Sequence, residues 1–345
     1  MKLLVLGTGS MAAAHARAFA AIDGVEMVAA IDTDAARLAA FCQEHGIANR
    51  FADLDEAIAW GGFDAATNVT PDPVHHPTTM KLIAAGKHVL CEKPLATDYT
   101  LAMQMTEAAE KAGVINMVNL TYRASPALHK ARELATSGAL GAVRHFESSY
   151  LQSWLVGKQW GDWRTEERWL WRLSTEHGSK GTVGDIGIHL IDFCTFAAGS
   201  DVTALCPRVK TFHKAPGDRI GAYTLDANDS FAMTAELANG ALGTIQATRF
   251  ATGNFNELKV SLFGDRGALT AHTDGKVSSL RMCTDVDTMD WVEVDCPPVP
   301  TTYQRFAEAV ATGRNGDPSF RRAADIQRIL DLALEHGDGR MVTVG

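Results

Sequence analysis

The sequence lacks two features that would each indicate a class of partner. It has no cluster of lysine and arginine, and its 32 basic and 41 acidic side chains give a formal net charge of −9. An acidic surface repels phosphate backbones, so we expect no nucleic-acid partner. No run approaches the ~20 apolar residues of a membrane-spanning helix, and the apolar stretch 1–6 is too short for a secretory signal. We therefore expect no membrane partner and a cytoplasmic location.

Patterns typical of metal-binding proteins are also missing. The six cysteines are scattered, with no zinc-finger spacing among them. We expect reduced, mostly buried thiols, as in cytosolic proteins. His75 and His76 are adjacent, and neighbouring residues on a helix face different ways, so we predict no metal site.

What the sequence does have is enough apolar material for two domains. Its 345 residues are 46% hydrophobic and 21% charged. A chain of this length is too long for a single typical domain core. Residues 1–121 alternate strand and helix patterns, which predict an α/β domain with a parallel sheet. Residues 122–345 carry successive strand patterns with turn signals such as Asn239-Gly240, framed by helices. They predict an α+β domain with a large, mostly antiparallel open sheet, and its last helices are free to pack back on the first domain.

The first domain is predicted element by element. Continuous apolar runs indicate strands that are buried on both faces. Glycines after helical stretches, such as Gly46 and Gly113, indicate helix ends. The predicted strands are residues 2–6, 25–31, 64–69, 88–92 and 114–120, and the predicted helices are residues 11–22, 35–45, 74–85 and 98–112.

The loop after the first strand has the glycine spacing of a dinucleotide-binding site. It reads Gly7-Thr8-Gly9-Ser10-Met11-Ala12, or G-x-G-x-x-A, between a strand and a helix. Gly7 permits a tight turn, and Gly9 lets the backbone approach a pyrophosphate. The first helical residues, Ser10 and Met11, offer N–H groups to the phosphates. Glycine turns of this kind are common, so the prediction also depends on the acidic residue that follows.

Asp32 ends the second predicted strand, where a carboxylate is able to hold both ribose hydroxyls of NAD. Thr33 follows it in place of an arginine, which disfavours NADP. Arg37 lies one helical turn further and is within reach of a 2′-phosphate. We therefore predict NAD as the cofactor, with NADP less favoured. The alternative for Asp32 is a helix N-cap, a role that Asp34 fills better.

Two later strand ends lie at the same edge of the predicted sheet, where open α/β sheets bind ligands. Thr70 and Pro71 follow one strand, and His75 begins the next helix; we expect all three near the cofactor. Glu92 and Lys93 follow the next strand and are also expected beside the cofactor. Pro94 restricts Lys93 to an extended backbone that directs its side chain out of the sheet. A partly desolvated lysine there exchanges protons, and the alternative is a solvated surface lysine.

A second polar motif lies far downstream. Asp185 and His189 are four residues apart on a helix predicted to start near residue 182, so they share one face. A carboxylate beside an imidazole orients it and raises its pKa, as in many general bases. A structural polar cluster at a helix start explains the spacing alone equally well.

Together these motifs resemble the glucose–fructose oxidoreductase / inositol dehydrogenase / MocA family. The most specific piece is Gly86-Lys87-His88-Val89-Leu90-Cys91-Glu92-Lys93-Pro94, and the resemblance spans nearly the whole chain. It implies a Rossmann domain and an open-sheet domain that binds substrate and often forms an oligomer interface, hence a homodimer or homotetramer. It also implies the catalytic set Lys93, Asp185 and His189, with His189 as base toward a substrate hydroxyl and Lys93 assisting. Lys180 departs from the family, which commonly has glycine there.

An aromatic segment is the predicted substrate contact. Five of the seven tryptophans lie between Trp154 and Trp171, interleaved with arginines. Aromatic faces stack on sugar C–H groups, and arginines donate to hydroxyls or carboxylates. The alternative is a loop that packs on a neighbouring subunit or caps the sheet. We expect substrate contacts from Tyr122, Arg123, Trp154, Trp171 and Arg172, in addition to Lys93, Asp185 and His189.

The sequence thus predicts an NAD-dependent dehydrogenase. It would transfer hydride between nicotinamide and a hydroxyl-bearing carbon of a sugar, inositol or related polyol, with the protein supplying position and proton transfer. One alternative is a glycosidase that uses NAD for transient oxidation. Another is a non-catalytic NAD-binding sensor, against which the complete catalytic set argues.

Overall fold

The computed structural model describes all 345 residues, which form two compact units. The first unit comprises Met1–Ala124 and Pro300–Gln327, and the second comprises Ser125–Val299 and Arg328–Gly345. No helix is both long enough and apolar enough to cross a membrane.

The N-terminal part of the first unit alternates strands and helices. The elements are β1 Lys2–Leu6, α1 Ser10–Ala20, β2 Glu26–Ile31, α2 Ala35–His45, β3 Asn49–Phe51, α3 Leu54–Trp60, β4 Ala65–Asn68, α4 Asp72–Ala84, β5 His88–Cys91, α5 Tyr99–Ala112 and β6 Asn116–Val118. All sheet pairings are parallel, in the order β3-β2-β1-β4-β5-β6. This is the Rossmann order, with its topological switch point between β1 and β4.

The second half of the chain is built differently. Its elements are α6 Pro126–Thr136, β7 Val143–Gln152, α7 Glu167–Leu170, a π-helical turn Val183–Gly187, α8 Ile188–Ala198, β8 Val202–Lys210, β9 Arg219–Ile220, β10 Tyr223–Thr224, β11 Ser230–Leu237, β12 Leu242–Thr248, β13 Asn256–Gly264, β14 Ala268–Thr273, β15 Ser278–Cys283, β16 Val292–Glu293, α9 Thr302–Thr312, α10 Phe320–Glu335 and β17 Val342–Thr343. Nine strands form one sheet in the order β16-β15-β14-β13-β7-β12-β11-β8-β17. Every pairing is antiparallel except β7 with β12. The predicted fold class, a parallel α/β domain followed by a mostly antiparallel α+β domain, is confirmed.

Local chemistry explains where these elements begin and end. Asp34 and Asp98 cap α2 and α5 through side-chain acceptors, and Gly46 and Gly113 end the same helices in the left-handed conformation. Every residue of α8 is buried, as expected for a helix that is apolar on all sides. The polar residues of α8, which are His189, Asp192 and Thr195, therefore lie in an apolar setting.

Helix α9 belongs to the first unit although it lies near the C-terminus of the chain. Phe306 is fully buried against Phe19, and Tyr303 packs edge-on against the same ring. Arg123 is buried and forms an ion pair with Asp317. This segment therefore completes the core beside β6.

Candidate active site

The glycine loop has the geometry that a dinucleotide requires. Gly7 has φ +91°, and a Cβ there would lie 2.8 Å from the carbonyl oxygen of Val69, so only glycine fits. At Gly9 a Cβ would meet no atom within 4 Å. Helix α1 starts without a side-chain cap, and Ser10 and Met11 lie exposed in its first turn. Open space in front of uncapped N–H groups fits a pyrophosphate.

Asp32 lies beside this loop and is only 8% exposed. Its Oδ2 accepts hydrogen bonds from Thr8 N (2.8 Å) and Thr8 Oγ1 (2.6 Å). Arg37 closes the other side, with Nε 3.0 Å from Oδ2 and Nη2 2.6 Å from Oδ1. Burial alone would raise the pKa of Asp32, but hydrogen bonds from Arg37, Asp34 and Thr8 outweigh it and hold the pKa well below its usual range. The carboxylate is therefore ionised and placed to accept from ribose hydroxyls.

Of the two side chains in this ion pair, that of Arg37 is the exposed one. Its side chain is 49% exposed, whereas that of Asp32 is 6% exposed. Thr33 is also exposed beside the carboxylate. The residues present thus fit NAD: an open glycine loop for the phosphates and a fixed carboxylate for the ribose.

His75 has a different environment from the one expected. It is fully buried, with Nδ1 2.7 Å from the carbonyl oxygen of Pro94 and Nε2 2.8 Å from that of Thr70. Both ring nitrogens are engaged by backbone, so His75 has no donor left for a cofactor, and the predicted cofactor contact is replaced by a positioning role. It ties the segment after β5 to the segment after β4, where Thr70 is half-buried and Pro71 is exposed.

Glu92 anchors the segment that carries Lys93. Its Oε1 accepts hydrogen bonds from His15 Nε2 (2.7 Å) and Asn119 Nδ2 (2.6 Å), and its Oε2 accepts from the backbone N–H of Lys93 (3.0 Å). Burial would raise the pKa of Glu92, but His15, Asn119 and Lys93 lower it to about 2. The Lys93 side chain is half-buried. Glu92 thus acts through its contacts with the protein, and it fixes the backbone of Lys93.

In the second unit, Asp185 and His189 span the junction of a π-helical turn and α8. Asp185 lies in the turn and His189 in the first turn of the helix. The predicted single α-helix is therefore wrong for residues 183–187, where the wider i→i+5 turn replaces it. Such turns are frequent at functional sites. His189 is 8% exposed.

Asn228 fixes the entry to this turn. Its backbone oxygen accepts from Thr182 N (2.9 Å), its Oδ1 accepts from Val183 N (3.0 Å), and its Nδ2 donates to the carbonyl of Lys180 (2.9 Å). A Cβ at Gly181, which has φ +64°, would lie 2.5 Å from Asn228. Asn228 was not predicted, because nothing in its local sequence pattern signals a contact with residues more than 40 positions away.

Arg249 was also missed. Its side chain is fully buried, and Nη2 donates to Asp185 Oδ2 at 2.8 Å. The one local signal is an arginine that directly follows the alternating strand β12. Asp185 therefore has a fixed cationic partner within its own unit.

The extra charge of Lys180 is balanced in the second unit. Its Nζ lies 3.3 Å from Asp331 Oδ1 on α10. Lys180 therefore adds an ion pair rather than an isolated cation.

The tryptophan segment divides into buried and exposed members. Trp154 and Trp163 are 3% and 1% exposed and form a core cluster with Leu155, Leu170, Leu173 and Leu225. Trp154 packs there, and its burial leaves no face for a substrate. Trp171 is 38% exposed, and the Arg172 guanidinium lies 4.4 Å from its ring centroid. Of these residues, Trp171 and Arg172 remain candidates for substrate contact.

Tyr122 and Arg123 also differ in their exposure to solvent. Tyr122 lies half-buried in a 3₁₀ turn, Thr121–Ala124. Arg123 is 1% exposed and paired with Asp317. A buried guanidinium needs a carboxylate partner, and this pairing replaces the substrate contact expected of Arg123.

Two family models match the sequence. Residues 1–120 match the GFO/IDH/MocA oxidoreductase family with an NAD-binding Rossmann fold, and residues 128–270 match the C-terminal domain of that family. The chain belongs to the Gfo/Idh/MocA family. As a member of this family it is an oxidoreductase with NAD as its cofactor, and the predicted family, enzyme class and cofactor are confirmed.

Relatives of this Gfo/Idh/MocA protein include enzymes named for anhydrosugars. Levoglucosan dehydrogenase of Pseudarthrobacter phenanthrenivorans is 26% identical over 288 residues, which cover 77% of this chain and 72% of the relative. The 1,5-anhydro-D-fructose reductase of Ensifer adhaerens is 33% identical over 181 residues, which cover 52% of this chain and only 50% of that protein. A levoglucosan dehydrogenase structure in complex with NADH and levoglucosan is 23% identical, with a TM-score of 0.86 over 100% of this chain and 99% of that chain. At this identity the structural match shows the fold.

Proposed function

We propose that this protein oxidises a hydroxyl-bearing carbon of a neutral sugar or sugar-like polyol, with NAD as the hydride acceptor. The observation that carries the proposal is the Asp185–His189 pair, which stands at the start of an otherwise buried, apolar helix and is tied to a buried arginine. Ionisable groups are costly to bury unless they are paired, and groups of this kind cluster at functional sites. The names of the relatives support the substrate class.

Each residue has a proposed role. When bound, NAD supplies the electrophilic carbon that takes hydride. His189 takes the proton of the substrate hydroxyl, and Asp185 orients its ring. Lys93, whose backbone is held by Glu92, assists the proton transfer. Tyr122, Trp171 and Arg172 would contact the rest of the sugar.

Three basic residues of the second unit already have carboxylate partners, which favours a neutral substrate. Lys180 is paired with Asp331, Arg168 with Glu166 and Arg249 with Asp185. A substrate carboxylate or phosphate needs cations that are not already neutralised. Arg172 stacks on Trp171, an arrangement suited to sugar C–H faces and hydroxyls.

We further propose a homodimer or homotetramer that forms through the solvent-facing side of the nine-stranded sheet. Leu242 on β12 is 51% exposed on that side. Light scattering combined with size-exclusion chromatography measures the mass. A monomer at assay concentration would contradict this proposal.

A near-ultraviolet absorbance screen tests the reaction. The purified protein is incubated with NAD or NADP and a panel of anhydrosugars, monosaccharides, inositols, sugar acids and sugar phosphates. We expect NADH from neutral members, with levoglucosan tested first, and little NADPH. Activity confined to sugar acids or phosphates would contradict the neutral class. Cleavage of a glycoside without net NADH would instead identify a glycosidase.

A further inference from the structure

The second unit holds a buried charge network that none of the recognised motifs contains. Arg249, Lys214 and Asp229 have fully buried side chains, and Lys214 Nζ lies 2.6 Å from Asp229 Oδ2. Arg249 Nη2 donates to Asp185 Oδ2 at 2.8 Å. Two cations thus face two carboxylates, and Asp185 is the one member with an exposed surface, 32% of its side chain.

Arg249 is held from several directions. Its Nη1 donates to the carbonyl oxygen of Arg172 at 3.3 Å, and its guanidinium lies 4.9 Å from the ring centroid of Trp154. A buried guanidinium has no water to replace a lost partner, so its position is set by these contacts. The constraint therefore runs from the fixed Arg249 to the partly exposed Asp185.

We propose that Arg249 is a positioning residue for proton transfer: it holds the Asp185 carboxylate and thereby sets the proton affinity of His189. This inference rests on the proposed function, in which His189 takes the substrate proton. An uncompensated carboxylate beside an imidazole stabilises its protonated form, which is unable to act as a base. The guanidinium offsets part of the charge of the Asp185 carboxylate and so weakens its stabilisation of a protonated ring.

Other charged groups surround the Asp185–His189 segment, and all except Lys214, which is replaced in the control, are left unchanged in the test. Asp192 lies on α8 and His129 on α6, and Asp331 on α10 is paired with Lys180. Asp229, which is paired with Lys214, lies directly before β11, and Arg172 lies in the tryptophan segment.

The test is a pH titration of the His189 ring by NMR, with ¹³C at Cε1 of the histidines and no substrate present. The His189 signal is assigned by its loss in His189→Asn. In Arg249→Met and Arg249→Gln we expect the pKa of His189 to rise by about one unit. In Arg249→Lys, which keeps the charge, it should stay near the wild-type value, and in Asp185→Asn it should fall. If Arg249→Met does not fold, the comparison of Arg249→Gln with Arg249→Lys still tests whether the charge at this position controls the pKa of His189.

Lys214→Met is the matched control, because it removes the other buried cation, whose partner is Asp229. We expect it to shift the His189 titration much less than Arg249→Gln does. An equal shift in both variants, or no shift in Arg249→Gln, overturns the inference.

Failure of the proposed function is seen separately, in the sugar panel. If His189→Asn turns over the sugar as fast as wild type, the proposed role of His189 fails, and so does the inference that Arg249 serves it. If His189→Asn is inactive while the titration does not respond to Arg249, only the inference fails.

Discussion

Replacing His75 with leucine tests whether a buried imidazolium holds the cofactor-side loops. A neutral imidazole has one N–H donor, yet both ring nitrogens of His75 lie within 2.8 Å of carbonyl oxygens. Burial opposes a charge on the ring, but Cys91, Asp72 and the Pro94 carbonyl raise the pKa of His75 from 6.5 to about 9. The two carbonyl contacts and the raised pKa together predict a doubly donating imidazolium.

The size of the effect follows from these contacts. Leucine leaves two buried carbonyls without donors, at about 1–3 kcal/mol each, so we expect a loss of about 2–6 kcal/mol near pH 6. Because the folded pKa is raised, the stabilising contribution is complete below pH 6.5 and is lost as pH rises through about 9. At about 1.4 kcal/mol per pKa unit, the gap between wild type and variant should narrow by about 3 kcal/mol over that range.

Urea unfolding followed by tryptophan fluorescence, at about pH 6 and about pH 9.5, measures this gap. His76→Leu is the matched control, since the His76 ring makes one hydrogen bond, to Gln104, and we expect a change within about 1 kcal/mol at both pH values. A gap for His75→Leu that is equal at both pH values would refute the imidazolium.

Three further substitutions test the cofactor site. Gly9→Ala should leave the melting temperature unchanged, because its methyl group meets open space, but should weaken NADH binding by about tenfold or more, measured by fluorescence titration. Gly7→Ala should instead lower the melting temperature and reduce the free energy of unfolding by about 1–3 kcal/mol, because its φ is +91° and its Cβ would clash with Val69. Equal behaviour of the two variants would contradict the separate roles assigned to Gly7 and Gly9. Asp32→Ser replaces the ribose-binding carboxylate with a neutral hydroxyl and releases Arg37. The ratio of the NADPH to the NADH dissociation constant should therefore fall by about tenfold or more, and an unchanged ratio would exclude Asp32 as the selector.

Much of the fold is predictable because many of its elements are signalled by residues that are close together in the sequence. The bounds predicted for β1 and α2, residues 2–6 and 35–45, match the structure, since a buried apolar run and a C-terminal glycine are local signals. Strand β3 was not predicted, because Asn49–Phe51 is a three-residue edge strand without alternation. The short helix α3 that follows it was not predicted either. The π-helical turn was missed because residue spacing does not distinguish it from an α-helix.

The candidate site likewise contains residues that local motifs identify and residues that only long-range contacts identify. The glycine loop and Asp32 follow from local motifs, and the structure adds the contacts that hold them. Arg249 reaches Asp185 across 64 residues, and His15 reaches Glu92 across 77, so no local pattern pairs them. His75 and Arg123 were assigned to ligands because polar residues at a sheet edge favour binding. Their burial shows instead that the backbone and Asp317 satisfy them.

The central claim is that the protein oxidises a sugar hydroxyl through Lys93 and His189. The most direct measurement compares turnover of wild type, Lys93→Ala and His189→Asn with NAD and the sugar that the panel identifies, at saturating NAD. We predict that both variants bind NADH like wild type while kcat falls by about 10²–10⁴-fold. Variants that bind NADH normally and turn over at the wild-type rate would contradict the claim.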